Sequence, residues 1–397
     1  MKKEILQIES VLYDIATNMN MPTIAEDLGV VVFESTLYRY SKNEVYKQKT
    51  LELLEKAIEV FPERKMHTGF LEGFESFFWV VDYLFKHDIV SDDSFIDDLK
   101  PHLFKSIEID LQGNFFDALH GSINKLDLLF NSEKYKQEEV LNYIDLFIDS
   151  LLENKVENEK GIYWYDSSMT EKNIVNLGLA HGISGILVFL TKIKNQGYEN
   201  PKMDYLIEGI IKSLVSFKNK NPYNCYFPSN YSENGSEAGS RLAWCNGDLG
   251  IAYAMLYSAE TLKKTDLRKE AIEVINGLYH RRISNSEIDH FEENFFFDTA
   301  FCHGLSGITY TLAKINELLK NPLIDKRIDY WKGELLHNLN TQLNIKGDIY
   351  YPAYKQDKDH SYVLDTCSML AGLTGTGLVL LSLEYGKYDW SDFFLLY

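Results

Sequence analysis

The sequence predicts an all-α fold of paired helices with short β and loop insertions, organised as one domain over residues 1–397. Three observations lead there. Small glycine cages recur along the chain, an apolar stretch with helical spacing follows each cage, and a second helix-like stretch precedes most of them.

The cages read "EGFES" at 72–76, "HGSIN" at 120–124, "HGISG" at 181–185, "NGDLG" at 246–250, "HGLSG" at 303–307 and "AGLTG" at 371–375. Their first glycines are Gly73, Gly121, Gly182, Gly247, Gly304 and Gly372, so the intervals are 48, 61, 65, 57 and 68 residues. A period of this length holds one helical hairpin with its loops. Stretches such as "ILVFLTKI" (186–193), "IAYAMLYSAETL" (251–262) and "ITYTLAKINELL" (308–319) carry apolar residues at helical spacing and predict helices that start at the glycines. Segments such as "DYLIEGIIKSLVSF" (204–217) and "LRKEAIEVINGLYH" (267–280) supply the second helix of each pair. Paired helices cannot bury their apolar faces alone, so the units must stack.

Residues 1–60 show amphipathic helical patterning without a cage and are expected to add a further hairpin that closes the array. The aromatic, Gly/Asn/Asp/Ser-rich stretches "KGIYWYDSS" (160–168), "NCYFPSNYSENGSEAGS" (224–240) and "IKGDIYYPAY" (345–354) read instead as short strands and loops. "EIDHFEEN" (287–294) reads as a solvated acidic loop.

Composition narrows the function. With 45% hydrophobic and 14% aromatic residues and only eight prolines, the chain is built to fold around a large core. A formal charge of -19 excludes nucleic acid as the natural partner, because such binding needs a basic surface; a peptide, a small molecule or a cationic partner fits better. Glu4, Gln7 and Glu9 interrupt any signal-peptide core, and apolar runs such as "GILVFL" and "LVLLSL" are far shorter than the roughly 20 residues a membrane span needs. No transmembrane segment and a cytoplasmic location are therefore expected. Four widely spaced cysteines make no disulfide framework.

Those cysteines need another explanation. Cys245 and Cys302 stand at the same position of two consecutive cages, and Cys302 is followed by His303. Cys245, Cys302 and His303 form a soft donor set that suits one Zn2+ with its fourth position open, although buried thiols would give the same residue types. Cys225 and Cys367 have no such equivalence and read as buried thiols. His181 precedes its cage as His303 does, but Ala180 replaces the adjacent ligand, which favours acid–base work. A helix start lowers an imidazole's pKa, so His181 would be neutral unless an anion compensates; Asp117, four residues before Gly121, is a candidate. Arg241, four residues before Cys245, suits the oxygen of an enolate or a carboxylate. Taken singly, each also fits a structural role. His120 and Asn246 share the cage position without an evident partner.

From about residue 65 to 380 the chain resembles the lanthionine synthetase C-like proteins, and within them the stand-alone lanthipeptide cyclases. The resemblance rests on "NLGLAHGISG" (176–185), "RLAWCNGDLG" (241–250) and "FCHGLSG" (301–307) taken together. It implies an α/α toroid of about seven inner and seven outer helices. It also implies a zinc ion on Cys245, Cys302 and His303, with His181, Asp117 and Arg241 as catalytic residues. Members often carry tyrosine where this chain has Asn246, and "EGFES" and "HGSIN" are degenerate cages.

The implied reaction is addition of a precursor-peptide cysteine thiol to dehydroalanine or dehydrobutyrine, giving lanthionine or methyllanthionine thioether rings. Its implied partners are the dehydrated precursor, a separate dehydratase and an export transporter. The alternative is a zinc-containing protein of the same fold that binds a peptide or glutathione without cyclising it. A toroidal glycosidase would need paired carboxylates in a cleft, and the cysteines argue against it.

Overall fold

The computed structural model describes all residues except 19–26, 62–68, 70, 72, 93, 133–136, 170, 172, 220–224, 233–238, 292–295, 345–365 and 387–388. The stretch 345–354 and parts of "EGFES", of 224–240 and of 287–294 thus lie outside the described residues. The chain forms two compact units, residues 1–100, 288–310 and 328–391 in the first, and 101–287, 311–327 and 392–397 in the second.

The second unit shows the hairpin repeat plainly. Helices α6 (Ser122–Asn131), α8 (Ile183–Asn195) and α10 (Gly247–Leu262) each begin at a cage. Their residues are buried on nearly every side, as in Ile183–Ile193 and Gly247–Ala259. A helix hydrophobic all round belongs inside a layer. Their successors α7 (Gln137–Asn154), α9 (Pro201–Phe217) and α11 (Thr265–Gly277) are amphipathic. α9 buries Met203, Leu206, Ile207, Ile210, Leu214 and Phe217, a stripe with the 3–4 spacing of one helix face. α6, α8 and α10 pack side by side, and each is backed by its amphipathic successor. α5 (Lys100–Gln112) precedes this array. The expected insertions are short antiparallel pairs: β1 (Val156–Asn158) with β2 (Gly161–Tyr163), and β3 (Val175–Asn176) with β4 (Asn230–Tyr231).

In the first unit, α1 (Lys2–Asn18), α2 (Asp27–Ser41) and α3 (Glu44–Val60) answer the expectation of helices before the cages. α2 is the buried member, packed against α4 (Glu75–Lys86) and α14 (Leu373–Tyr385), with α1 and α3 against it. α4 and α14 start at the first and last cages. α12 (Leu305–Leu319) starts at the fifth, and α13 (Pro322–Leu343) follows it; both contribute residues to each unit. β5 (His290–Phe291) and β6 (Phe296–Phe297) form an antiparallel pair. Among the described residues, no helix is long and apolar enough to cross a membrane.

One residue works against this packing. Glu34 of α2 is fully buried, and neither carboxylate oxygen finds a well-formed hydrogen bond among the described residues. Burial, reinforced by the charge of Glu9, pushes its pKa up to about 9, while Lys49, which is paired with Glu9, opposes the shift. The fold therefore keeps a proton that the unfolded chain releases near pH 4. Stability should fall as pH rises from about 4 toward 9. Glu34→Gln should flatten that decline by about 1–3 kcal/mol at the alkaline end, read from urea unfolding between pH 5 and 9.

Candidate active site

The site residues sit on the cage loops, and glycine decides how those loops fold. A Cβ on Gly182, the N-cap of α8, would lie 2.3 Å from the Asn176 carbonyl oxygen. A Cβ on Gly247 would lie 2.2 Å from the Arg241 carbonyl oxygen, and Gly247 also has a φ of +76°, in the region that L side chains avoid. Gly121 meets the Phe115 carbonyl in the same way at 2.5 Å. In all three the chain returns upon itself after six residues. The second glycines repeat the contact, Gly185 on Leu179, Gly250 on Trp244 and Gly375 on Met369.

Hydrogen bonds join neighbouring loops. The Ala180 N–H donates to the Cys245 carbonyl at 3.1 Å, and the Cys302 N–H donates to the Leu370 carbonyl at 2.8 Å. In both cases the residue two before the first glycine of one cage bonds to the same position of the next. Two further groups fix the Cys245 loop. Trp244, fully buried, donates its indole N–H to the Phe394 carbonyl, and the Asp248 carboxylate accepts the N–H groups of Tyr226 and Phe227. Burial raises Asp248 to about 6 against the opposing effect of those donors.

His181 and Asp117 are brought together. Nδ1 of His181 lies 2.5 Å from Oδ2 of Asp117, while Asp117 Oδ1 accepts the N–H groups of Leu119 and His120 at 2.7 and 2.8 Å. The carboxylate is thus fixed by its own loop and leaves one oxygen for the imidazole. Desolvation opposes a charge on His181, but the hydrogen bond and charge of Asp117 outweigh it, so its pKa is held above the ordinary value. Asp117 is the compensating anion that the helix start called for. With Nδ1 engaged, Nε2 is the nitrogen available for proton exchange. The His120 ring lies parallel to that of His181, with centroids 5.8 Å apart and planes 6° apart. The sequence offered no partner for His120. Both His181 and Asp117 border a cleft that also includes Trp164, Tyr165 and Asp166.

Cys302 and His303 occupy the turn before α12 and are half-buried. His303 Nε2 lies 3.5 Å from Asp289 Oδ2 and 3.7 Å from Asp298 Oδ2. Asp289 belongs to the stretch read from sequence as solvated; it is half-buried and faces an imidazole instead. Nothing in its local composition distinguishes it, because its partner lies fourteen residues on, beyond the β5–β6 pair. Cys245, in the second unit, is 8% exposed. Arg241 is half-buried, and its carbonyl faces Gly247. No disulfide involves any of the four cysteines. Cys225 and Cys367 are buried, and burial raises the Cys225 thiol. The Asn246 side-chain oxygen is buried and accepts no hydrogen bond among the described residues.

Buried helices entered through glycine-closed loops, with thiol, imidazole and carboxylate groups on the bends, define an all-α repeat protein whose polar site lies on its loops. Comparison with known proteins makes this specific. The chain belongs to the lanthionine synthetase C-like proteins, whose family model matches residues 27–396. It is similar to the nisin biosynthesis protein NisC of Lactococcus lactis subsp. lactis, at 24% identity over 282 residues. That match spans 68% of this chain and 60% of the relative. The solved structure of a nisin cyclase superposes with a TM-score of 0.78 at 19% identity, covering 100% of this chain and 97% of that one. Likeness of this degree shows the fold, the α/α toroid class expected from the sequence.

Two outcomes follow from this geometry. Asp117→Asn should lower the His181 pKa, read by NMR titration of the imidazole; an unchanged value would remove Asp117 as the anion. Because the pKa is raised in the fold, the pair's stabilisation is complete below about pH 6.5 and is lost as pH rises through the folded value. Gly247→Ala should cost about 2 kcal/mol or more, seen as a lower thermal midpoint, since both the positive φ and the carbonyl contact forbid a Cβ.

Proposed function

We propose that the chain is a zinc-dependent lanthipeptide cyclase, which adds cysteine thiols of a dehydrated precursor peptide to dehydroalanine or dehydrobutyrine. The observation that carries this reading is the Asp117–His181 pair at the edge of an open cleft, in a chain of this family.

The donor set fits zinc by its chemistry: two thiols and one imidazole are soft and borderline ligands that leave a fourth position for substrate. Cys245 and Cys302 hold equivalent positions in consecutive cages, and His303 has carboxylates of Asp289 and Asp298 near Nε2, the kind of neighbour that orients a metal-ligating imidazole. Zinc on Cys245, Cys302 and His303 would supply a Lewis acid that keeps a substrate thiol in its thiolate form at neutral pH.

The remaining steps belong to the protein's own groups. His181 Nε2 takes the thiol proton, the sulfur attacks the β-carbon of the dehydro residue, and the electron pair moves to the carbonyl oxygen as an enolate. The Arg241 guanidinium steadies that oxygen. His181 then returns the proton to the α-carbon, so the addition is balanced and its product isomeric with the substrate. Asp117 fixes the imidazole tautomer and stabilises the imidazolium between the two transfers.

Purified protein should contain one zinc per chain, lost in Cys245→Ser and Cys302→Ser; full activity without metal would overturn the mechanism. Incubation with a dehydrated, cysteine-containing peptide followed by alkylation should show protected thiols. Thiols left fully reactive would instead favour the reading of a binding protein. His181→Ala should reduce cyclisation by about 10²–10⁴-fold while zinc content stays unchanged.

A further inference from the structure

The cleft beside His181 holds more than the proton-transfer pair needs. It is open to solvent. Besides Asp117 and His181 it is lined by Trp164, Tyr165 and Asp166, from the chain that follows β2, and by Asn176 of β3. We propose that this cleft is a subsite for a lysine or arginine side chain of the substrate, carried next to the residue that His181 protonates. This rests on the reading that the site acts on a peptide.

The lining argues for a cation. Two carboxylates, Asp117 and Asp166, border one cleft that no lysine or arginine among the described residues lines, on a chain with a formal charge of -19. Trp164 and Tyr165 add aromatic surface to the lining, which suits the aliphatic stem and the charged head of a long basic side chain. Asp166 is also fixed in place. Its Oδ1 accepts the N–H and Oγ–H of Ser168 at 2.9 and 2.6 Å, and its Oδ2 accepts Asn176 Nδ2 at 3.2 Å. Asn176 in turn accepts the Gly178 N–H through its side chain, and its backbone carbonyl is the one that Gly182 abuts. The loop that sets His181 therefore also sets the distance from His181 to Asp166. Such preorganisation is what a selective subsite needs, because little ordering remains for binding to supply. An incoming cation would share the carboxylates with His181 and favour the neutral imidazole that must act first as a base.

The test uses fluorescence anisotropy on labelled dehydroalanine peptides whose reacting cysteine is replaced by alanine, so that binding is read without cyclisation. Lysine, norleucine or glutamate is placed at the positions flanking the dehydroalanine. Wild-type protein should bind the lysine peptide about tenfold more tightly than the norleucine peptide and the glutamate peptide most weakly, with the lysine advantage shrinking at high salt. Asp166→Asn, checked for folding by its melting curve, should reduce the lysine-to-norleucine ratio to within about twofold. Equal wild-type affinity for lysine and norleucine, or an undiminished ratio in the variant, would overturn the proposal. The charge and salt series needs no variant, so a misfolded Asp166→Asn does not shield it. Cyclisation of the cysteine-containing parents is scored separately: selective binding of the lysine peptide without any ring formation would sink the cyclase reading and leave the subsite standing.

Discussion

The structure depends on one contact, glycine against a carbonyl oxygen six residues back. A Cβ at Gly182, Gly247 or Gly121 would lie within 2.5 Å of that oxygen, so any other residue would push the loop open. Closing it does three things at once. It starts a buried helix, it sets the two preceding residues on a fixed bend, and it presents the backbone groups that bond to the next loop. The side chains with chemistry are passengers on this backbone device. Their spacing is set by main-chain geometry, with side chains such as Trp244 and Asp248 holding individual loops in place.

Within that frame, the electrostatics of the site turn on how Asp117 is held. Two N–H donors from its own loop satisfy one oxygen and leave the other for His181. A carboxylate on a long flexible side chain would lose part of its effect to conformational freedom; this one is fixed before the imidazole arrives. Its charge overcomes a desolvation that would otherwise keep His181 neutral. In the mechanism proposed above, a raised imidazole pKa would suit a group that takes and returns a proton near neutrality. The His120 ring lies parallel to that of His181, with centroids 5.8 Å apart.

Much of this was legible in the sequence, for physical reasons. Glycine recurs where a Cβ cannot fit, and the helices it opens have a period that shows through their apolar residues, so α6, α8, α10, α12 and α14 could be read from their cages. The closeness of Asp117 and His181 was inferable because both lie within four residues of a cage glycine. What escaped were contacts with no local signature. α2 is buried as deeply as any cage helix yet starts without a cage, and its central Glu34 is a buried carboxyl set beside another, Glu9. Asp289 looked like solvated charge because its partner is reached only across the β5–β6 pair. Asp166 sat in a stretch whose aromatic residues marked strand and loop, and only the fold brings it to the cleft.

The regular loop has a consequence for how such a protein changes over time. The mount is glycine and main chain, while the two residues before the first glycine are whatever the lineage has placed there: Leu119 and His120, Ala180 and His181, Cys245 and Asn246, Cys302 and His303, Leu370 and Ala371. They behave as interchangeable fittings on a common socket. Substitution at these positions alters the chemistry presented without touching the closure that supports the helix behind it. The pair Leu370 and Ala371 leaves one such socket without an ionisable or nucleophilic side chain, and Asn246 places a neutral amide at another. A scaffold of this kind can gain or lose reactive groups one loop at a time, provided that each new side chain fits the partly buried site of the one it replaces.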